Sequence, residues 1–413
     1  MAVNTLATPT WVTKEVARGF VNELGFLSNV NRTYDDSYEI NGAKVGNTVQ
    51  ARLPQRFTVT DGQALQQQAL YDQTVPISLT NQKNVAFGYS SAQATTELDE
   101  IRSRYVTPAG EALANAADVL AFQAVYRDIY SSVGVPGTTP SAALTFLQAG
   151  VKLTDLSAPM GGRIALLDPL AMATLANSVA ALFNPSGKIS ETWTKGQFGA
   201  NQLGIGKWFQ EPNRPVHTTG TYTASTPLIN GADQTGSVLI TDGWASGAAT
   251  LNKGDIFTIA GVYSVNPLSY TSTGRLQQFV VTTTTTSVTV NMATLPISPA
   301  IITSGQLQTV SNSPADDAVI TVLGCTTPAG GTLATTVSPQ GFVYHKDAFA
   351  FVMADLKKPN AGCEATVVRS KELGLSIRMV EQYQIGTDQM PTRLDILIGA
   401  ATLQARLAVR VWG

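Results

Sequence analysis

The residues of this chain best suited to chemistry are few and are badly spaced for it. Gly204-Ile205-Gly206-Lys207 looks like a phosphate-binding turn, in which backbone amides would wrap a nucleotide and the lysine would reach its phosphates. A Walker-type loop also needs a glycine ahead of the Gly-Lys pair with four residues between, and a hydroxyl residue after it. Asn201 and Trp208 occupy those two positions, so a plain loop is expected. His217 and His345 are the only two histidines. Neither has a Cys/His/Glu cluster beside it with which to complete a zinc site, and hydrogen-bonded surface imidazoles are expected. Cys325 and Cys363 offer neither metal spacing nor a disulfide framework, which points to two free thiols and a reducing cytosol. Asp168 reads as a helix cap before Pro169, and Asp395 as a strand-edge contact. There is no Gly-x-Ser-x-Gly elbow and no His-Glu-x-x-His helix. The expectation is a protein with no catalytic residues, no metal and no cofactor.

Composition points the same way. Of 413 residues only 14% are charged, against roughly 25% in ordinary soluble proteins. With 44% apolar residues, much of the surface is neutral, as in a chain covered by partners or in a Thr/Ser/Gln-rich β-protein. A net charge of −2 and the lack of any Lys/Arg cluster exclude a protein that grips nucleic acid by neutralising phosphates. Any contact with DNA would be weak and non-specific. The opening residues, MAVNTLATPTWVTKEV, lack a basic and then apolar signal pattern, and no stretch approaches ~18 uncharged apolar residues. Neither export nor membrane anchoring is expected.

The elements that would position such residues are organised around one helix. It is predicted from Thr107 to Tyr130, with Thr107 as N-cap and Pro108 at the first helical position. Leu113, Ala116, Leu120 and Ala124 form one apolar stripe, and Val119, Phe122, Tyr126 and Ile129 a second beside it. That describes a rod of roughly 35 Å packed on more than one side. Its core side chains are expected to be Leu113, Leu120, Phe122 and Tyr126.

Before it, residues 9–24 read as a first amphipathic helix. After Asn41-Gly42, a tight-turn dipeptide, the period changes to two. Alternating runs on either side of Asp61-Gly62 describe a long two-stranded arm with a Gln-rich tip. An isolated hairpin is marginal in water, so this arm needs another surface. A short helix is expected over 92–101. Thr139-Pro140 opens another helix to about Leu153, with Leu144, Leu147 and Val151 on one face. Arg163–Leu167 reads as a strand buried on both faces, and Asp168-Pro169 opens a helix to about Phe183.

From about Thr218 to Thr332 composition turns Thr-, Ser- and Gly-rich, with strand-like runs at 238–241, 255–262, 277–290 and 319–323. That is a small all-β domain, barrel or sandwich, inserted in a mixed host. After it, 342–356 reads as an apolar lead with a helical second half, 364–378 as extended, and 394–400 as a buried strand.

This order of parts resembles the major capsid protein of tailed bacteriophages with the Hong Kong 97 fold, in particular the podophage P-twenty-two group, whose coat protein carries an inserted domain. The residues carrying the resemblance are Gly46–Pro54 with Phe57-Thr58-Val59 and Asp61-Gly62 in the arm, and Lys253–Val262 and Gly274–Val281 in the inserted domain. The resemblance implies an α+β capsid fold: N-terminal arm 1–33, extended β-hairpin 34–92, a peripheral and axial part 93–217 with the spine helix, an inserted all-β domain 218–338, and a return 339–413. It implies self-assembly as pentamers and hexamers into an icosahedral phage head around double-stranded DNA. Scaffolding protein and a portal protein would be partners, the virion its place, and the host cytoplasm its site of assembly.

Arg52, Arg56, Asp61 and Lys83 of the arm would then lie at the contact with the adjacent subunit. The turn Gly231–Gly236, with Asp233 and Gln234, would carry the inserted-domain contact. This turn is short and nearly neutral where the better-known relative has a long charged loop. Lys83 has no matched cross-linking partner pattern, so assembly is expected to be non-covalent. A β-rich surface-layer or adhesin-like structural protein is the alternative reading.

Overall fold

The computed structural model describes residues 25–31, 48–59, 62–63, 67–90, 105, 107–180, 203–245, 249–286, 291–327, 331–359, 362–370 and 375–413. Asp61, the Asn41-Gly42 turn and the helices expected over 9–24 and 92–101 lie outside them. Contacts divide the chain into two compact units, Met1–Ala51 with Thr74–Ala124 and Phe349–Ala401, and Arg52–Gln73 with Val125–Ala348 and Thr402–Gly413.

In the first unit the long helix, α1, runs Thr107–Val125. It is shorter than expected: Tyr126–Asp128 tighten into a 3-10 turn, where aromatic and charged residues replace the alanines that favour the α-helix. Ala109, Ala114, Ala117 and Ala121 are buried along with Leu113 and Phe122, and these small residues allow close approach on a broad face. Phe26 packs edge-on against Phe122 at 4.5 Å and Phe349 at 5.5 Å between ring centroids. The buried Asp118 accepts hydrogen bonds from the backbone N–H groups of Gly25, Phe26 and Leu27 at 3.2, 3.2 and 2.9 Å. One carboxylate thus satisfies the start of the 3-10 turn Leu27–Asn29 and fixes it to α1.

The five-stranded sheet of this unit has the order Phe349–Met353, Gln389–Thr402, Leu375–Glu381, Glu364–Ser370, with Asn81–Ser90 also paired to Gln389–Thr402. The arm therefore differs from the expected long hairpin. Among the described residues Thr48–Arg52 pairs with Thr74–Ser78 alone, and the chain beyond runs Asn81–Ser90 along Gln389–Ile398 in continuous register. An edge strand of this length gains its ladder hydrogen bonds from the body instead of a marginal ribbon. Asp395, expected at a strand edge, is fully buried in the central strand. Its charge is met by Arg378 Nη2 at 2.6 Å, Arg393 Nε at 2.7 Å and Gln82 Nε2 at 3.3 Å.

In the second unit a mixed sheet has the order Ser132–Val133, Ala408–Trp412, Val337–His345, Arg163–Leu167, Lys207–Gln210. Arg163–Leu167 is buried at every residue, as expected of the apolar run Ile164–Leu167, while the Arg163 guanidinium is satisfied by the Pro159, Gly150 and Ala158 carbonyls and by Thr154 Oγ1. The helices here are α2, Ala143–Asp155, and α3, Pro169–Ala180. α2 turns Phe146, Ala149 and Leu153 inward, whereas Leu144, Leu147 and Val151 are exposed. The helix was legible, but the opposite face is buried. Residues 342–356 hold no α-helix: Val337–His345 and Phe349–Met353 are strands joined by the 3-10 turn Lys346–Ala348. A uniformly apolar run does not distinguish a buried strand from a helix by period.

The Thr-rich middle forms an antiparallel sheet in the order Ile320–Val322, Ile256–Val265, Ser272–Val281, Ala293–Ile301, Gly236–Asp242, Leu228–Ile229. Its two edges meet. Leu228 bridges Val319, and Ile320 N–H donates to the Pro227 carbonyl at 2.9 Å. The sheet closes as a barrel, which removes its exposed edges. Leu239, Phe257, Ile259, Phe279, Val281, Leu295 and Val322 belong to its core, with Phe257 and Phe279 opposite in register and stacked at 5.8 Å. The strands on which the chain passes into and out of this region, Val216–Thr218 and the start of Val337–His345, pair with each other.

Candidate assembly surfaces

The residues that lead the chain into the barrel build a buried polar cluster. His217 Nε2 lies 2.9 Å from Asp255 Oδ1, both nearly inaccessible. Asp255 Oδ2 accepts from the N–H groups of Asn252 at 2.7 Å and Gly220 at 2.9 Å, closing the turn before the strand Ile256–Val265. The fully buried Arg410 donates to the Gly254 carbonyl at 2.6 Å and to Gln340 Oε1 at 3.0 Å. Its guanidinium lies over the rings of Trp412 at 4.5 Å and Tyr126 at 5.5 Å. Gly254 has φ +101°, and a Cβ there would fall 3.0 Å from His217 Cε1 and 3.3 Å from Arg127 Cγ. Only glycine lets the turn come so close.

Burial pushes the His217 pKa below its ordinary value; the nearby Arg410 and Arg127 add to this and Asp255 opposes it. Burial also lowers Arg410, to about 9, so it stays cationic at neutral pH. His217 and His345 are both buried, contrary to the expectation of surface imidazoles. A second tie joins α2 to the barrel. Lys152 Nζ donates to the Ser132 carbonyl at 2.5 Å and to Gln278 Oε1 at 2.6 Å, and burial lowers its pKa to about 8.

None of this is arranged as a catalytic site. Among the described residues no three His, Cys, Asp or Glu side chains group as metal ligands, and no helix is long and apolar enough to cross a membrane. Lys207 begins the strand Lys207–Gln210, parallel to Arg163–Leu167. Asp168 directly precedes α3, its carboxylate 3.1 Å from Arg214.

The residues expected at contacts are spread out. On the arm Arg52 is exposed and Arg56 half-buried, close enough to Tyr130 and Arg406 to influence their titration. Lys83 is exposed on the strand Asn81–Ser90, opposite Ile396. Sequence reasoning missed a row of large apolar side chains on the same arm: Phe57, Val59, Leu70 and Tyr71 are 59, 95, 77 and 55% exposed. The available signal was the presence of large apolar residues in a Gln-rich segment, Phe57 and Val59 two apart and Leu70-Tyr71 adjacent.

Asp233 is exposed, and its Oδ1 accepts from Ser313 Oγ at 2.6 Å. Gln234 is fully engaged within its own turn, donating to the Asn230 and Ile240 carbonyls at 2.7 and 2.9 Å and accepting from Ile240 N–H at 2.7 Å. Along the long helix and the turn after it, Leu113, Phe122 and Tyr126 are buried and Leu120 is half-buried.

The described residues thus combine a closed barrel with an arm that carries exposed apolar side chains. Its sequence matches the family model described as P22 coat protein - gene protein 5 over residues 1–411. The chain belongs to the P22 coat protein family. As a member of that family it is a tailed-phage major capsid protein, a structural component of the virion shell. Its α+β fold is of the capsid type that the resemblance implied, and the surface-layer and adhesin reading falls away.

Solved structures similar to this coat protein include one titled Mycobacterium phage Che8, 14% identical, covering 95% of this chain and 90% of that one with a TM-score of 0.44. Another is the capsid structure of the cyanophage P-SCSP1u, 11% identical, covering 94% of this chain and 86% of that one with a TM-score of 0.40. The CUS-3 coat protein I-domain is 28% identical over 25% of this chain and 97% of its own length, with a TM-score of 0.19. No curated protein sequence matches the chain.

Proposed function

We propose that this coat protein assembles as pentamers and hexamers into an icosahedral head around double-stranded DNA, with its arm laid across the adjacent subunit. The observation that carries the arm's role is its exposed apolar row, Phe57, Val59, Leu70 and Tyr71. Four large apolar side chains held in water are unfavourable in a monomer, by roughly 25 cal/mol for each Å² that a neighbour could cover. Arg52 and Arg56 lie on the same arm, and Lys83 on the strand Asn81–Ser90 that follows it. Residues 218–338 form the inserted module in this reading, between a first part at 93–217 and a return at 339–413, with the N-terminal arm at 1–33 and the extended arm within 34–92, its last strand Asn81–Ser90 paired to Gln389–Ile398. Asp233, exposed on its turn, is the group there that could face a second capsomer.

Assembly in the host cytoplasm, guided by scaffolding protein and with a portal protein at one vertex, follows from the family reading. With a net charge of −2 the inner surface would touch packaged DNA weakly and without sequence preference, and the role is structural, not enzymatic. The test is a double reversal, Arg52→Glu with Arg56→Glu. It should yield a folded protein that forms no closed particles under negative-stain microscopy, while the parent protein does. Normal particles from the double variant would refute the arm assignment.

A further inference from the structure

Among the described residues of the arm, the backbone contact furthest from the body between its two sides is Leu53 N–H to the Gln73 carbonyl at 2.9 Å. Beyond it, glutamine side chains make the contacts. Gln68 presents its carboxamide to the backbone of Thr58, accepting from the N–H at 2.9 Å and donating to the carbonyl, as a facing strand would. Gln55 Oε1 accepts from Tyr71 N–H at 3.1 Å. Between these two amides stands a third from a distant part of the chain. Gln306 Nε2 donates to Gln68 Oε1 at 2.9 Å, and its Oε1 accepts from Gln55 Nε2 at 3.5 Å. Gln306 lies in the connection between the barrel strand Ala293–Ile301 and Ile320–Val322. Tyr270, on another barrel turn, donates its hydroxyl to the Gln306 carbonyl at 3.1 Å and reaches the Phe57 carbonyl at 3.4 Å.

We propose that Gln306 is a positioning residue for assembly: the barrel braces the arm of its own chain by inserting one amide between the arm's two strands. The brace rests on the reading that the arm contacts a second copy, and it gives the inserted module a task within that reading. A ribbon with few backbone hydrogen bonds between its two sides has little to fix its direction, and a loose arm would lose conformational freedom on binding a neighbour. Gln55, Gln68 and Gln306 fix it without charge, so the brace adds no repulsion when copies come together. The apolar row is carried by the same short segments, 57–59 and 70–71, so what holds Thr58 and Tyr71 also holds the contact side chains.

The test is hydrogen exchange on the full-length, unassembled protein, comparing the parent with Gln306→Ala. Exchange at the Thr58 and Tyr71 amides should accelerate about tenfold or more as the bridging amide is lost, while the barrel amides of Phe279 and Val280 stay as they were. Unchanged exchange at Thr58 and Tyr71 would overturn the brace. Should Gln306→Ala disturb the barrel itself, Gln306→Glu keeps the shape and sets a carboxylate oxygen against Gln68 Oε1. The same acceleration confined to the arm then supports the proposal, and its absence overturns it. Because this measurement needs no shell, its failure is separable from failure of the arm–neighbour contact, which the Arg52 and Arg56 reversal reads from particles.

Discussion

At the scale of single residues, buried polar groups do what a catalytic site would otherwise be suspected of. Asp118, Asp255 and Asp395 are each buried and each satisfied by backbone N–H groups, a histidine or arginines, because an unpaired buried charge is too costly to keep. Among these buried groups His217 is a histidine held below its ordinary pKa, chiefly by burial. Asp255 faces it at 2.9 Å, Arg410 and Arg127 act against its protonation, and the rings of Tyr126 and Trp412 close over it.

Its folded pKa lies below the ordinary 6.5, so the unfolded chain takes up the proton first. Stability from this group is complete above 6.5 and is lost as pH falls from there toward the folded value. His217→Gln keeps a donor for Asp255 and cannot titrate. Urea midpoints measured across this range should fall with acidification less steeply in the variant than in the parent. Equal slopes would show that His217 does not sense the change.

At the scale of elements, α2 illustrates what apolar pattern leaves open. Leu144, Leu147 and Val151 make as good a stripe as Phe146, Ala149 and Leu153, but the second stripe is the buried one. Phe146 meets Trp208 edge-on at 5.9 Å, a contact between elements far apart in sequence that no local period contains. Phe146→Ala should therefore cost about 3 to 5 kcal/mol in chemical denaturation, while Leu144→Ser should change stability by no more than about 0.5 kcal/mol. The reverse ranking would restore the face chosen from sequence.

Where strands alternate or turn signals bound them, the sequence was readable. The runs at 238–241, 255–262 and 319–323 fall on Gly236–Asp242, Ile256–Val265 and Ile320–Val322, and Arg163–Leu167 coincides with its strand. It was not readable where a short run is apolar throughout, as in Phe349–Met353, nor where long-range partners decide. Asp395, His217 and the glutamines at 55, 68 and 306 have partners that local sequence does not reveal. The exposed apolar side chains of the arm, Phe57, Val59, Leu70 and Tyr71, are visible in the sequence as residue types, but their exposure depends on what the rest of the chain leaves uncovered.

At the scale of the whole molecule, two kinds of force could join copies of this protein, and composition weighs them. Charged groups are only 14% of residues and nearly balanced at 27 basic to 29 acidic. Long-range attraction or repulsion between subunits is therefore small, and what remains beyond a Debye length of ~10 Å at ~0.1 M salt is screened. The arm offers apolar side chains of more than half exposure beside few charges, Arg52, Arg56, Asp61, Asp72 and Lys83 between positions 52 and 83, and exposed ion pairs contribute about 0 to 1 kcal/mol each. Burial of the apolar row should dominate. The critical concentration for assembly should then change by less than about threefold between ~50 and ~500 mM sodium chloride, and should rise steeply with modest urea, which weakens apolar burial. Light scattering across both titrations measures this. A much stronger salt dependence would assign the contact to Arg52 and Arg56 and leave the apolar row incidental; the Arg reversal alone cannot separate these cases, since placing two carboxylates in an apolar contact blocks assembly under either.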